Sequence, residues 1–198
     1  LGTINTMRAD LAHNLSEQQL EQIRVKQGRP IFGVDLKIED EDGQELPWDG
    51  KAFGEIKVRG LWIASDYFKL DNSTAHSEDG WFATGDVATV DQYGYMQITD
   101  RTKDVIKSGG EWVSSIELEN IAVGHPAVLE AAVIGVPHPK WTERPLLLVV
   151  VKPGETLEKE VILSWFDGKV ASWWIPEDCV FVEELPHTAT GKISKKDL

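Results

Sequence analysis

Hydrophobic and polar residues alternate through the first half of the chain, and unbroken apolar runs mark the second. Over residues 32–39, Val34, Leu36 and Ile38 alternate with Asp35, Lys37 and Glu39, the period-two pattern of a strand with one buried face. Asp40-Glu41-Asp42-Gly43 turns that strand back. Residues 54–60 alternate again, Ile56 and Val58 on one face and Glu55, Lys57 and Arg59 on the other. Residues 87–90 and 95–99 predict a hairpin about Asp91-Gln92-Tyr93-Gly94, and a small antiparallel sheet or barrel is the economical assembly. Ahead of these strands, residues 1–15 show little pattern. Ser16-Glu17-Gln18-Gln19 has capping-box spacing and opens a short helix through Leu20, Ile23 and Arg24, ended by Gly28-Arg29-Pro30.

Beyond Asp100 the pattern changes. Ser114-Ser115-Ile116-Glu117 is a second capping-box spacing, predicting a helix to about Val123 that Gly124-His125-Pro126 stops. Residues 128–136 and 145–151 are nearly continuous apolar runs, as strands covered on both faces require. Thr156 is placed to cap a further helix, in which Leu157, Val161 and Trp165 repeat at i, i+4 and i+8 beside Ile162 and Phe166. Residues 178–183 predict a last strand, and from Leu185 the chain is polar, basic and loop-like. The expectation is an α+β fold in two lobes: 1–101, a small antiparallel β subdomain, and 104–198, a compact mixed sheet with helices. Residues 102–103 form the hinge between them.

A length of 198 residues allows one ordinary domain or two small ones with a proper core. The balance of 33 acidic against 20 basic side chains gives −13, a field that repels a polyphosphate backbone and speaks against nucleic acid as a partner. Residues 1–100 hold 9 basic and 18 acidic side chains, residues 101–198 hold 11 and 15. The basic residues of the second half gather around Arg101, Lys103 and Lys107 and around Lys192, Lys195 and Lys196, so a local anion site fits inside an acidic protein. Cys179 is the only cysteine, which permits no internal disulfide. The longest aliphatic run, 146–151, falls far short of the roughly 20 residues that span a bilayer. Nothing signal-like opens the sequence, so the cytoplasm is the expected location. A first residue of Leu rather than Met suggests a fragment.

Chemistry concentrates in three places. Residues 100–119 pack Arg101, Lys103, Lys107 and the pair Gly109-Gly110 together, and cations beside glycine backbone suit a phosphate-bearing ligand. Asp86, after Gly85, has two acceptor oxygens and can take both hydroxyls of a ribose; alone, Gly85-Asp86 would more simply be a turn. Lys192, after Gly191 in Pro186-His187-Thr188-Ala189-Thr190-Gly191-Lys192-Ile193, can set a mobile point charge against a phosphate; alone, it would be part of a solvated basic tail. The histidines show no pair with metal-ligand spacing, so no metal site is expected among them.

Taken in order, these segments resemble the AMP-forming acyl-CoA synthetase family, the adenylate-forming enzymes. Gly54-Glu55-Ile56-Lys57-Val58-Arg59-Gly60 looks like one family motif and Thr84-Gly85-Asp86 like the next. Asp100-Arg101-Thr102-Lys103 with Ser108-Gly109-Gly110-Glu111 and Glu117 resembles the third, and Pro186 to Lys192 the fourth. The wording around Ser108 to Glu111 and Val136 to Trp141 is most similar to bacterial fatty-acyl-CoA ligases.

The resemblance implies that residues 1–101 end a large N-terminal lobe and that 104–198 form a mobile C-terminal one. It implies two half-reactions, acid plus ATP to acyl-AMP and pyrophosphate, then acyl-AMP plus coenzyme A to acyl-CoA and AMP. Asp86 and Arg101 would hold the nucleotide, Lys192 would be catalytic in adenylation, and Lys103 would be the hinge. Gly109, Gly110 and Glu111 would line the coenzyme A path with Trp141 and Trp173, although core packing is an equal reading for both tryptophans. Arg144 would meet a coenzyme phosphate or a carboxylate. Magnesium ligands, the phosphate loop and the acid pocket of the family lie upstream of anything present here, so these residues alone are expected not to make acyl-adenylate. A basic residue that many relatives carry before the last lobe's proline is absent from Trp173-Trp174-Ile175-Pro176. Two rivals remain open at this level, an adenylation domain that loads a carrier protein and a non-catalytic nucleotide- or partner-binding module. Oligomeric state and acyl chain length leave no mark on the sequence.

Overall fold

The computed structural model describes residues 2–64, 76, 77 and 79–198. The chain forms two compact units, residues 1–102 and 103–198.

The first unit opens with β1 (Thr3–Ile4), α1 (Ala9–Asn14) and α2 (Glu17–Arg24), followed by β2 (Arg29–Pro30), β3 (Val34–Glu39), β4 (Phe53–Gly60), β5 (Phe82–Val90) and β6 (Met96–Arg101). The capping box forms at α2: Ser16 Oγ accepts the Gln19 N–H (3.4 Å) and Gln19 Oε1 accepts the Ser16 N–H (3.0 Å). Two short elements also fall within residues 2–15, where the sequence shows little pattern. β1 pairs with β2, and α1 buries only Leu11, too few positions to leave a helical period. Strands β3-β4-β5-β6 make an antiparallel sheet in sequence order, and Val34, Leu36, Ile38, Ile56 and Val58 enter one core as the alternation requires.

The other face of this sheet is charged. Register sets Lys37 opposite Lys57 and Glu39 opposite Glu55. Glu39 bridges both lysines, at 2.6 Å to Lys37 and 3.3 Å to Lys57. Burial works against the Glu39 charge, but the two lysines outweigh it and hold its carboxyl below the usual range.

In the second unit come β7 (Ile106–Ser108), β8 (Glu111–Val113), α3 (Ser115–Val123), β9 (Val128–His138), β10 (Thr142–Val151), α4 (Lys159–Ser164) and β11 (Asp178–Phe181), with a 3-10 turn at Lys195–Asp197. β9 and β10 pair antiparallel over nearly their whole length, β11 runs parallel to β10, and β7 joins the start of β10 where Thr142 meets Ser108. Both faces of this ribbon are covered. Ala131, Val133, Leu147 and Val149 enter the core that also holds Leu118 of α3 and Ile162 of α4. Ala132, Leu148 and Val150 meet Leu185, Val182 and Ile193 on the opposite face. Cys179 lies in the first of these cores, and burial pushes its thiol up to about 11, which keeps it protonated at neutral pH.

One helix departs from its sequence pattern. α4 starts at Lys159, with Glu158 rather than Thr156 at its N-cap and no side-chain cap bond. Val161, assigned to the apolar stripe, is 49% exposed, while Ile162 and Phe166 are fully buried. That pair sets the helix's rotation, and Leu157 joins the core from the preceding loop. Trp165 is left at the margin, where its Nε1–H donates to Ile121 O (2.9 Å).

Gly54 on β4 packs against its neighbours with no room to spare. An added Cβ would lie 2.4 Å from Glu39 O and 2.7 Å from Leu46 Cδ1. Gly54→Ala should therefore push β3 from β4 and destabilise the first unit by about 1–3 kcal/mol, read as an earlier urea transition in that unit and an unchanged one in the other.

Candidate functional site

The first unit gathers its polar chemistry where β5 and β6 run side by side. Asp86 and Arg101 are register partners, and Asp86 Oδ1 stands 3.2 Å from Arg101 Nε. Thr84 Oγ1 accepts the Asp86 N–H (3.2 Å) and donates to Ile56 O (3.3 Å), which fixes the strand beside the carboxylate. Asp86 and Thr84 are the polar rim of a cleft of about 300 Å³ walled by Leu36, Val58, Phe82 and Met96. Arg101 keeps 60% of its side chain exposed, so its remaining N–H donors face water. A half-engaged carboxylate beside a half-engaged guanidinium suits a ligand carrying both hydroxyls and phosphate oxygens. Asp100, fully buried, accepts the Arg101 N–H on Oδ1 (2.7 Å) and holds the backbone there. Lys103, the first residue of the second unit, is exposed in a turn.

A second cleft, of about 430 Å³, belongs to the second unit and brings together Gly109, Glu111, Trp141 and Trp173 with Ser108 and Arg144. Gly109 has φ +65, and a Cβ on it would sit 2.9 Å from Trp141 Cε3. Only glycine lets the indole lie this close to the backbone. The Gly109 N–H also donates to Trp141 O (2.9 Å). Thr142, next to Trp141, is the one non-glycine residue with left-handed φ (69) among the described residues, a strained conformation that aims the turn. Trp173 Nε1–H donates to Glu111 Oε2 (2.8 Å). Both tryptophans sit at the cleft, 39% and 53% exposed, rather than in the core. Gly110 follows with open space around its Cα.

Arg144 is the frame of this cleft. It is 8% exposed and donates to Glu177 Oε1 (2.7 Å), Ser108 Oγ (3.0 Å), Trp173 O (2.5 Å) and Ile175 O (3.2 Å). Glu177 is the carboxylate among the partners that the sequence offers it. The guanidinium ties the β7 wall to the 173–177 wall, a planar fork spent on structure.

Lys192 is not among the residues that line the second unit's cleft and lies on a hairpin of its own. Thr188 N–H donates to Lys192 O (2.7 Å), Ser194 N–H to Pro186 O (2.8 Å) and Gly191 N–H to Thr188 O (2.9 Å). Its ammonium is exposed and has no partner among the described residues. Sequence reasoning named Ser108 and Lys195 without their partners, Arg144 and Glu119, and overlooked Glu177. For Glu119 the signal existed. Ser115, Leu118, Glu119 and Ala122 fall at i, i+3, i+4 and i+7, so an acid sits on the buried stripe of α3, where it must find a cation.

Among the described residues no group of three or more His, Cys, Asp or Glu side chains is gathered to hold a metal ion, and no helix is long and apolar enough to cross a membrane.

Residues 117–192 match the family of AMP-binding enzyme C-terminal domains. The whole chain is 56% identical to the 3-methylmercaptopropionyl-CoA ligase of Ruegeria pomeroyi and 50% identical to the medium-chain-fatty-acid–CoA ligase of Ectopseudomonas oleovorans, spanning 36% of each. Its fold matches ATP-bound MatB from Rhodopseudomonas palustris with TM-score 0.75 at 34% identity, over 87% of this chain and 34% of that one. The chain thus spans about a third of the length of the relatives it matches; its residues 117–192 belong to the family of AMP-binding enzyme C-terminal domains, and the relatives it matches over its whole length are CoA ligases.

Proposed function

We propose that these residues are the C-terminal portion of an ATP-dependent, AMP-forming ligase that joins a fatty or related carboxylic acid to coenzyme A. In the first half-reaction a carboxylate oxygen attacks the α-phosphorus of ATP, the bond to the β-phosphate oxygen breaks, and pyrophosphate leaves. In the second, the thiol of coenzyme A loses its proton, its sulfur attacks the acyl carbon, and the carbon–oxygen bond to AMP breaks. The observation that carries the reading is the Asp86–Arg101 pair, 3.2 Å apart, in a chain 56% identical throughout to a named CoA ligase.

Asp86 would accept from the ribose hydroxyls, and Arg101 would meet ribose and phosphate oxygens with its exposed N–H groups. Lys192 would neutralise charge that builds between the α-phosphate and the attacking carboxylate. Gly109, Gly110, Glu111, Trp141 and Trp173 would form the coenzyme A path. Lys103 would be the hinge on which residues 104–198 swing between the two half-reactions. Magnesium, which screens the phosphates of ATP, has no ligands assigned in this chain. The lone buried Cys179 goes with a reducing compartment, the cytoplasm.

In the full-length enzyme, Lys192→Ala should lower adenylation, followed as pyrophosphate release, by about 100- to 1,000-fold, and should slow thioester formation from supplied acyl-AMP far less. Equal losses in both steps would remove Lys192 from its role. Lys103→Pro should give the reverse ratio, because a fixed φ opposes the swing. Arg144→Met, which leaves Glu177 and Ser108 without their donor, should destabilise the second unit by roughly 2–4 kcal/mol in urea unfolding and raise KM for coenzyme A more than KM for ATP.

A further inference from the structure

The chain after Lys192 wraps around one edge of the second unit's ribbon, and a charged cluster pins it there. Strand β9 has β10 on one side. On its other side the Val133 N–H, which would otherwise face no strand, donates to Glu119 Oε1 (2.8 Å). Lys195 Nζ lies 2.7 Å from that same carboxylate oxygen and donates to Ser115 Oγ at 2.5 Å. The lysine and glutamate side chains are only 15% and 16% exposed, so neither charge has much water to fall back on. We propose that Lys195 is a positioning residue for Lys192, locking the 186–194 hairpin to α3 so that the Lys192 ammonium is presented at a fixed point on the second unit. The catalytic half of this inference rests on the ligase reading above.

The geometry of the hairpin explains why one end matters. Its first strand is held by Leu185 in the core and by His187 Nε2, 3.2 Å from Glu130 Oε1 and 36% exposed, a weakly held contact. Its second strand carries Ile193 against the same core, and beyond that its side-chain contacts are a local Ser194–Asp197 bond (2.6 Å) and Lys195. The tip between them, including Lys192, is exposed. A tip on two stems is fixed only as well as the looser stem, and Lys195, three residues from Lys192, is what stiffens the second. An error of about 1 Å in placing a charge at a reacting centre costs on the order of 100-fold in rate.

Two measurements test this. In the 198-residue chain, Lys195→Met should speed hydrogen exchange at the Thr188 and Ser194 amides, the hairpin's own hydrogen-bond donors, by about tenfold. Amides in the middle of β10 should stay as they are, and Lys195→Arg should restore protection. In the full-length enzyme, Lys195→Met should lower kcat for adenylation by roughly 10- to 100-fold, with KM for ATP little changed and thioester formation from supplied acyl-AMP retained. Lys195→Arg should recover adenylation. Glu119→Gln keeps an oxygen for Val133 while removing the charge, and should behave as Lys195→Met does if the latter folds poorly. Unchanged exchange at Thr188 and Ser194 overturns the clamp. Equal loss of both half-reactions overturns positioning, since the glycine and tryptophan cleft lies on the same unit and general damage would reach it too. If the unaltered enzyme forms no acyl-adenylate with any acid, the ligase reading and the catalytic half fall together, while exchange judges the clamp alone.

Discussion

A ribbon of two long strands, apolar on both faces, dictates where everything else in the second unit can go. Because successive residues of β9 and β10 point to opposite sides, Val133, Leu147 and Val149 demand cover on one face and Ala132, Leu148 and Val150 on the other. Two helices supply the first cover and the chain after β11 supplies the second. Polar chemistry is then displaced to the ribbon's end and edge. Trp141 and its glycine contact sit at the β9–β10 turn, Glu119 reaches the edge of β9 at Val133, and Lys192 comes just before Ile193, which packs on the second core.

The first unit solves a different problem. Its sheet has one apolar face and one face on which register places Lys37 opposite Lys57, a like-charge pairing that is unfavourable by itself. Glu39, nine-tenths removed from water, lies within reach of both lysines, and Glu55 stands 3.3 Å from Lys57. The alternation of Lys and Glu along neighbouring strands is thus a mutual neutralisation, more than a generic wet surface. Arg101, at the end of the last strand, has only the partly buried Asp86 as a described side-chain ion partner, and hence has donors to spare.

Much of this was legible in the sequence, and the exceptions have a common cause. Capping at Ser16, the strand alternation around Val34 to Ile38 and the double-sided apolar runs are local signals whose physics acts over a few residues, and each appears in place. The rotation of α4 was misread, since which of two adjacent stripes is buried depends on what the ribbon offers, and Ile162 with Phe166 fits it better than Val161. For Arg144 the sequence leaves a coenzyme phosphate and a carboxylate both open and shows none of its backbone partners. Its acceptors come from Ser108, Trp173, Ile175 and Glu177, which only the folded chain assembles. The same holds for Lys195 and Glu119, 76 positions apart in the chain.

These long-range contacts also bear on where motion belongs. Gly109 is packed under Trp141, Arg144 joins two walls of one cleft with four donated bonds, and Lys195 fixes the hairpin stem. None of these three segments is free to rearrange alone, because each would expose a buried charge or an unpaired donor. On the proposed reading, Lys192 and the tryptophan cleft serve different half-reactions, yet both are fastened to one ribbon. Exchanging them then calls for moving the unit as a body through a few backbone torsions. Lys103 suits that demand, being exposed in a turn at the first position of the unit, with no side-chain partner among the described residues to resist a change of φ and ψ. On that reading, stiffness around Lys192 and freedom at Lys103 would be two sides of one requirement, since a swing delivers a charge accurately only if the body that carries it does not bend.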